Sequence, residues 1–152
     1  MEFAVCLTLL IPLLVGLWEV GRLVEVQQLL ANAAREGGRA AAAGQKTPVQ
    51  IQQDVVTYLA NAGLMVDKSG IWTPVGQADV TITVTNLTSS TRPDPSTANQ
   101  LDHFQVQVTI PFNSVRWVIL NQITTVTQLT ATADWYSMKD IPISVNQNIP
   151  LE

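Results

Sequence analysis

Two periodicities divide the chain. From Phe3 to Trp18, sixteen consecutive residues are uncharged and nearly all are apolar. That run sits at the short edge of the ~17–25 residues that cross a bilayer as a helix. Trp18 closes it, where an interfacial aromatic is expected. Pro12 inside it removes one backbone hydrogen bond and is expected to bend the helix. Beyond Trp18 the apolar pattern thins without stopping. In WEVGRLVEVQQLLANAAREGGRAAAAG, apolar or small residues recur at Val20, Leu23, Val24, Leu30, Ala31 and Ala34 at spacings of three and four. Glu19 with Arg22, Arg22 with Glu25, and Glu36 with Arg39 place opposite charges at i,i+3. Gly37-Gly38 weakens the pattern, the alanine run restores it, and Gly44 is a natural C-terminal stop. One helix over 2–43 would be about 60 Å long, more than a bilayer needs, and its second half is too polar for lipid. Such a helix is half anchor and half packing surface.

A second helix is signposted by Thr47-Pro48-Val49-Gln50: an N-cap, a proline at the first helical position and a capping-box glutamine. Ile51, Val55, Tyr58, Leu59 and Ala62 make its apolar face, and Gly63 ends it. After Gly63 the period changes to two. ADVTITVTN, HFQVQVTIPF and QLTATADWY each alternate apolar with polar positions, as strands buried on one face do. SSTRPDPSTANQ reads as a loop. VRWVILNQI is ambiguous, with a short helix into the last strand as one reading, and IPISVNQNIPLE reads as an edge strand or extended arm. These elements predict an α+β protein: a long N-terminal helix over 1–44, then a head over 45–152. The head combines a second short helix with a small antiparallel sheet of about three to four strands.

Composition narrows the function. Charged residues make up 13% of the chain, about half of the ~25% usual for a globular domain. Residues 1–50 balance four bases against four acids, so the net charge of −4 sits wholly in residues 51–152. An acidic head repels phosphate backbones, so no nucleic-acid partner is expected. Cys6 is the only cysteine and lies in the apolar run, where it reads as a small hydrophobe. Catalytic groups are scarce. His103 beside Asp102 has no nucleophile signature with it and reads as a surface histidine at a strand edge. Asp94 and Asp102 lack the ligand ladder of a calcium loop, and no zinc, phosphate-loop or dinucleotide motif is present. No enzyme, metal or cofactor is therefore expected. Asn86-Leu87-Thr88 matches a glycosylation acceptor, a weak signal at a strand end.

The informative residues lie at the N-terminus. E-F-A, a proline in a leucine-rich run, W-E-V-G-R, V-Q-Q and N-A-A-R-E-G-G-R-A-A-A occur in that order. This region resembles TadE-like proteins, the pilins and pseudopilins of the tight-adherence (Tad) branch of the type IV pilus system. The resemblance is close over residues 2–43 and looser over Val106 to Phe112 and the final Thr/Ala-rich strand. It implies a precursor held in the inner membrane, a basic leader removed by a prepilin peptidase, and delivery through a pilus assembly platform. It implies further that a glutamate near the new N-terminus pairs with the terminal amine of a neighbouring subunit. Glu2, with Met1 as the amine, matches that glutamate, although it stands second where the family glutamate is usually fifth. Burying a carboxylate in an apolar bundle costs on the order of 3 kcal/mol unless a cation meets it, which would favour the correct register. The positions expected to pack in a filament core are Phe3, Leu10, Pro12, Leu13, Leu17, Val20, Leu23 and Val24. The implied function is a structural pilin that polymerises with itself into a filament on the cell surface. Two alternatives stand beside it: a minor pseudopilin that primes assembly, and an anchored extracytoplasmic binding domain that does not polymerise.

Overall fold

The computed structural model describes residues 2–117 and 125–139, with side chains from Cys6 onward. Helix α1 runs from Glu2 to Ala42, unbroken through Pro12. Helix α2 follows over Pro48–Asn61. Its start is built as the sequence predicts: the Thr47 amide donates to Gln50 Oε1 at 3.0 Å, and the Gln50 amide donates to Thr47 Oγ1 at 3.5 Å. Ile51, Val55 and Leu59 are its buried face, whereas Ala62 caps the helix and is exposed. Gly63, at φ 81°, turns the chain out of it.

A hairpin comes next, β1 (Met65–Lys68) paired antiparallel with β2 (Ile71–Pro74). Its loop is Ser69-Gly70 at φ 58° and 88°, the two positive values that a tight right-twisted hairpin turn requires. The main sheet is a meander of β3 (Thr81–Asn86), β4 (His103–Pro111) and β5 (Gln128–Tyr136), antiparallel with β4 in the centre. Val84, Val106 and Ala133 lie in one cross-strand row, and so do Ile82, Val108 and Ala131. All six point to the helices. The opposite face presents Thr81, Thr83, Thr85, Gln107, Thr130 and Thr132. The alternation read from the sequence is thus the alternation of the fold, and the class is α+β. A 3-10 turn at Phe112–Ser114 precedes the ambiguous stretch, of which Val115–Trp117 are described. The rest of the short helix expected there, and the edge strand or arm expected over 141–152, fall outside the described residues.

The core lies between the sheet and the two helices. Phe104, Val106, Val108 and Ile110 of β4 are fully buried, as are Val26, Leu30, Ala33, Ala34 and Ala41 of α1. Burying each of the larger ones stabilises the fold by about 1.5–3 kcal/mol. The second half of α1 is therefore a structural member of the head. Small residues allow it to lie close: a Cβ at Gly37 would come within 2.8 Å of Val55 Cγ2, and one at Gly38 would overlap the Trp135 indole. Two long polar side chains tie the layers further. Gln27 Nε2 donates to the Thr130 carbonyl and Gln52 Nε2 to the Ile82 carbonyl, both at 2.9 Å.

Candidate functional site

The features that stand apart from ordinary packing are on α1. Its first stretch carries no cover: Leu7, Leu9, Leu10, Ile11, Leu13, Leu14, Leu17 and Trp18 are all exposed. Among the described residues one helix, taken from Cys6 to Ala42, is long and apolar enough to cross a membrane by length and composition. Where α1 meets the head, its faces separate. Glu19, Arg22, Val26, Leu30, Ala33, Gly37 and Ala41 turn inward. On the far side, Val20 and Val24 stay 48% and 46% exposed although the helix is already docked. They extend the row Leu10, Leu13, Leu17, whose spacing of three and four keeps all five on one stripe. Of the remaining positions expected in a filament core, Leu23 packs half-buried against the head core. Pro12 is exposed. Met1 lies outside the described residues, and the side chains of Glu2 and Phe3 do too.

At the junction, the helix is fastened to the loop after β4. Arg22 Nε donates to the Val115 carbonyl at 3.0 Å, and its Nη1 meets Glu25 Oε2 at 2.9 Å. Its guanidinium lies over the Trp117 ring, 4.7 Å from the centroid. Glu19 Oε1 faces Arg116 Nη1 at 3.8 Å with both side chains buried, and Arg116 also sits 4.9 Å above the Phe112 ring. Trp18 and Trp117 meet edge to face with centroids 6.1 Å apart. Of the charge pairs expected on the helix, Arg22–Glu25 and Glu36–Arg39 are formed, while Glu19 is directed to Arg116. Arg116 and Trp117 had no role in the sequence reading. Their only signal there was a charged–aromatic pair inside an otherwise ambiguous apolar run.

The remaining candidates have local structural work. Asn86 is buried. Its Nδ2 donates to the Arg92 carbonyl at 2.9 Å and to Asp102 Oδ2 at 3.1 Å, and its Oδ1 accepts from the Thr88 and Ser89 amides. The nitrogen that a glycan would need is engaged in closing the turn after β3. Asp102 also accepts from the Asn99 amide, so it organises the loop before β4 and does not orient His103. His103 stacks on Tyr136 at 4.8 Å and lies 3.7 Å from Asp134. Asp94 Oδ1 accepts from the Ser96 amide and hydroxyl, capping a 3-10 turn. Among the described residues no group of His, Cys, Asp and Glu could hold a metal ion. An open groove between the end of α1 and α2 is lined by Glu36, Arg39, Lys46, Asp54 and Tyr58, whose charges pair with one another.

What distinguishes α1 is a surface. It offers an uncovered apolar stripe on a helix whose other face is bolted to a polar head. No curated protein and no solved structure matches the chain. The family model described as TadE-like protein matches residues 1–39, which take in the uncovered stretch, the helix side of the junction and most of the docked half of α1. Over residues 1–39 the chain is thus similar to TadE-like proteins.

Proposed function

We propose that the chain is a structural pilin subunit that polymerises through α1 into a Tad-like type IV pilus filament on the cell surface. Before assembly it is held in the inner membrane by the same helix. The observation that carries this reading is the stripe Leu10, Leu13, Leu17, Val20 and Val24. A plain membrane anchor needs apolar side chains only up to the bilayer surface. Here the uncovered row runs on past Glu19, alongside the head, where water would otherwise meet it. Helices from neighbouring copies, packing along that row, would cover it from end to end. Glu2 would then meet the terminal amine at Met1 of a neighbour, and the prepilin peptidase and assembly platform would act before that step. The acidic head, with its Thr- and Gln-rich outer sheet face, would form the filament wall, and no nucleic acid is expected as a partner.

A photo-crosslinking residue introduced at Leu17 tests this in cells, with one at Gln53 on α2 as the control. The proposal expects a ladder of self-adducts from position 17 and a much weaker one from position 53. Monomer alone from position 17, with the protein retained in the membrane fraction, would favour an anchored domain that does not polymerise.

A further inference from the structure

The junction places a head residue at a definite depth. Trp18 is the last residue of the uncharged run, and residues 2–18 span about 25 Å as a helix, near the ~30 Å of a hydrocarbon core. A tryptophan at the end of such a span settles at headgroup level, with its ring body in the apolar zone and its N–H toward water. Trp117, 99 positions further along the chain, has its ring centroid 6.1 Å from that of Trp18. The link between them is rigid. Arg22 holds the Val115 carbonyl and covers the Trp117 ring, and Arg116 faces Glu19 in a buried pair, all within four helical residues. Both indoles remain half open, Trp18 at 61% and Trp117 at 50%. A buried cation therefore backs an exposed aromatic edge, on the side of the head from which the apolar helix leaves.

From this we infer that Trp117 is a membrane-seating residue. Before assembly the head rests directly on the phospholipid interface, with Trp18 and Trp117 side by side at the headgroup level and no free stalk between bilayer and head. The inference rests on the reading of residues 2–18 as the anchor. It commits to lipid as the cover of this patch because the patch is continuous with that span and fixed to its last turn. A second copy covering Trp117 is the competing outcome.

The test uses the full chain reconstituted in phosphatidylcholine–phosphatidylglycerol vesicles whose acyl chains are brominated either near the headgroups or near the bilayer centre. Two single-tryptophan chains are compared, one keeping Trp117 and one keeping Trp18, the others being changed to phenylalanine. Trp135 packs against Gly38, so its replacement could disturb the fold. The native chain and its Trp117→Phe and Trp18→Phe variants therefore give the same information by difference. The expected result is loss of Trp117 fluorescence with shallow bromines to the extent seen for Trp18, and a smaller loss with deep ones. Quenching of Trp18 without quenching of Trp117 would overturn the inference and leave the anchor intact. So would a Trp117 blue shift that depends on protein concentration and ignores bromine, which would assign the patch to a second copy. If neither indole is quenched, the anchor reading itself fails and this inference falls with it.

Discussion

Single side chains decide how closely α1 approaches the head. At Gly38 an added methyl group would overlap the Trp135 indole, so Gly38→Ala should destabilise the head by about 1–3 kcal/mol, the usual cost of overpacking. At Gly21 nothing lies within 4 Å, and Gly21→Ala should raise stability by up to ~1 kcal/mol through helix propensity. Thermal unfolding of the two variants in detergent, followed by circular dichroism, should show shifts of opposite sign. In sequence, Gly37-Gly38 reads as a weak point of a helix. In the fold the missing side chains are what let α1 lie against Val55, Val106 and Trp135. That meaning was not legible because it depends on residues up to 97 positions away. A second effect concerns pH. The hydrogen bond from Arg39 holds the Glu36 carboxyl below its usual carboxylate value, with burial opposing it and weaker pulls from the charges of Arg39 and Lys46. A carboxyl lowered in the folded state stabilises above its unfolded pKa and ceases to do so as pH falls through the folded value. The melting temperature of Glu36→Gln should therefore lie slightly below that of the parent at neutral pH and converge with it in acid. The effect is small because Arg39 is open to solvent.

At the level of secondary structure, α1 has one face docked on the head and one left uncovered, and on the proposed function the two should separate by mutation. Leu13→Glu or Val24→Glu alters a side chain the head does not bury. Head stability should stay within about 0.5 kcal/mol of the parent, while filaments should be lost from sheared cell-surface material. Glu19→Gln acts on the other face. It leaves the buried Arg116 guanidinium facing a neutral group and should cost about 3 kcal/mol by analogy with broken buried pairs. The double change Glu19→Leu with Arg116→Met should recover most of that loss in a denaturant titration. Most of these elements could be read in advance. A capping box, a proline at the first helical position and strict alternation each report local backbone chemistry, so α2 and the three strands of the main sheet fell where the pattern put them. The β1–β2 hairpin did not show, because Met65–Pro74 is short and mixes charged with apolar positions on both faces. Its only local signal was Ser69-Gly70. The junction at Arg116 and Trp117 was equally hidden, since a pairing with Glu19, Arg22 and Trp18 across more than ninety residues leaves no periodicity to detect.

For the chain taken together, the division of labour does not follow the end of the long helix. Residues 6–18 contribute no residue to the described core, whereas Val26, Leu30, Ala33, Ala34 and Ala41 are among its fully buried members. Removal of residues 1–18 should leave a head that melts cooperatively, and removal of residues 1–42 should leave one that does not fold. Size-exclusion chromatography and a thermal melt of the two truncations would distinguish them. A head that needs half of α1 for its own core cannot swing on that helix, so forces on the head pass directly into α1. That rigidity suits a subunit whose helices form a shared core while the heads form a wall. The measurement that bears on this most directly is electron microscopy of filaments sheared from cells that express the chain. The account predicts thin uniform filaments built from this chain, with α1 inside and the Leu10–Val24 stripe against neighbouring helices. Filaments that lack the chain, with the protein remaining in the membrane fraction, would show instead that it primes assembly or stays a membrane-anchored domain.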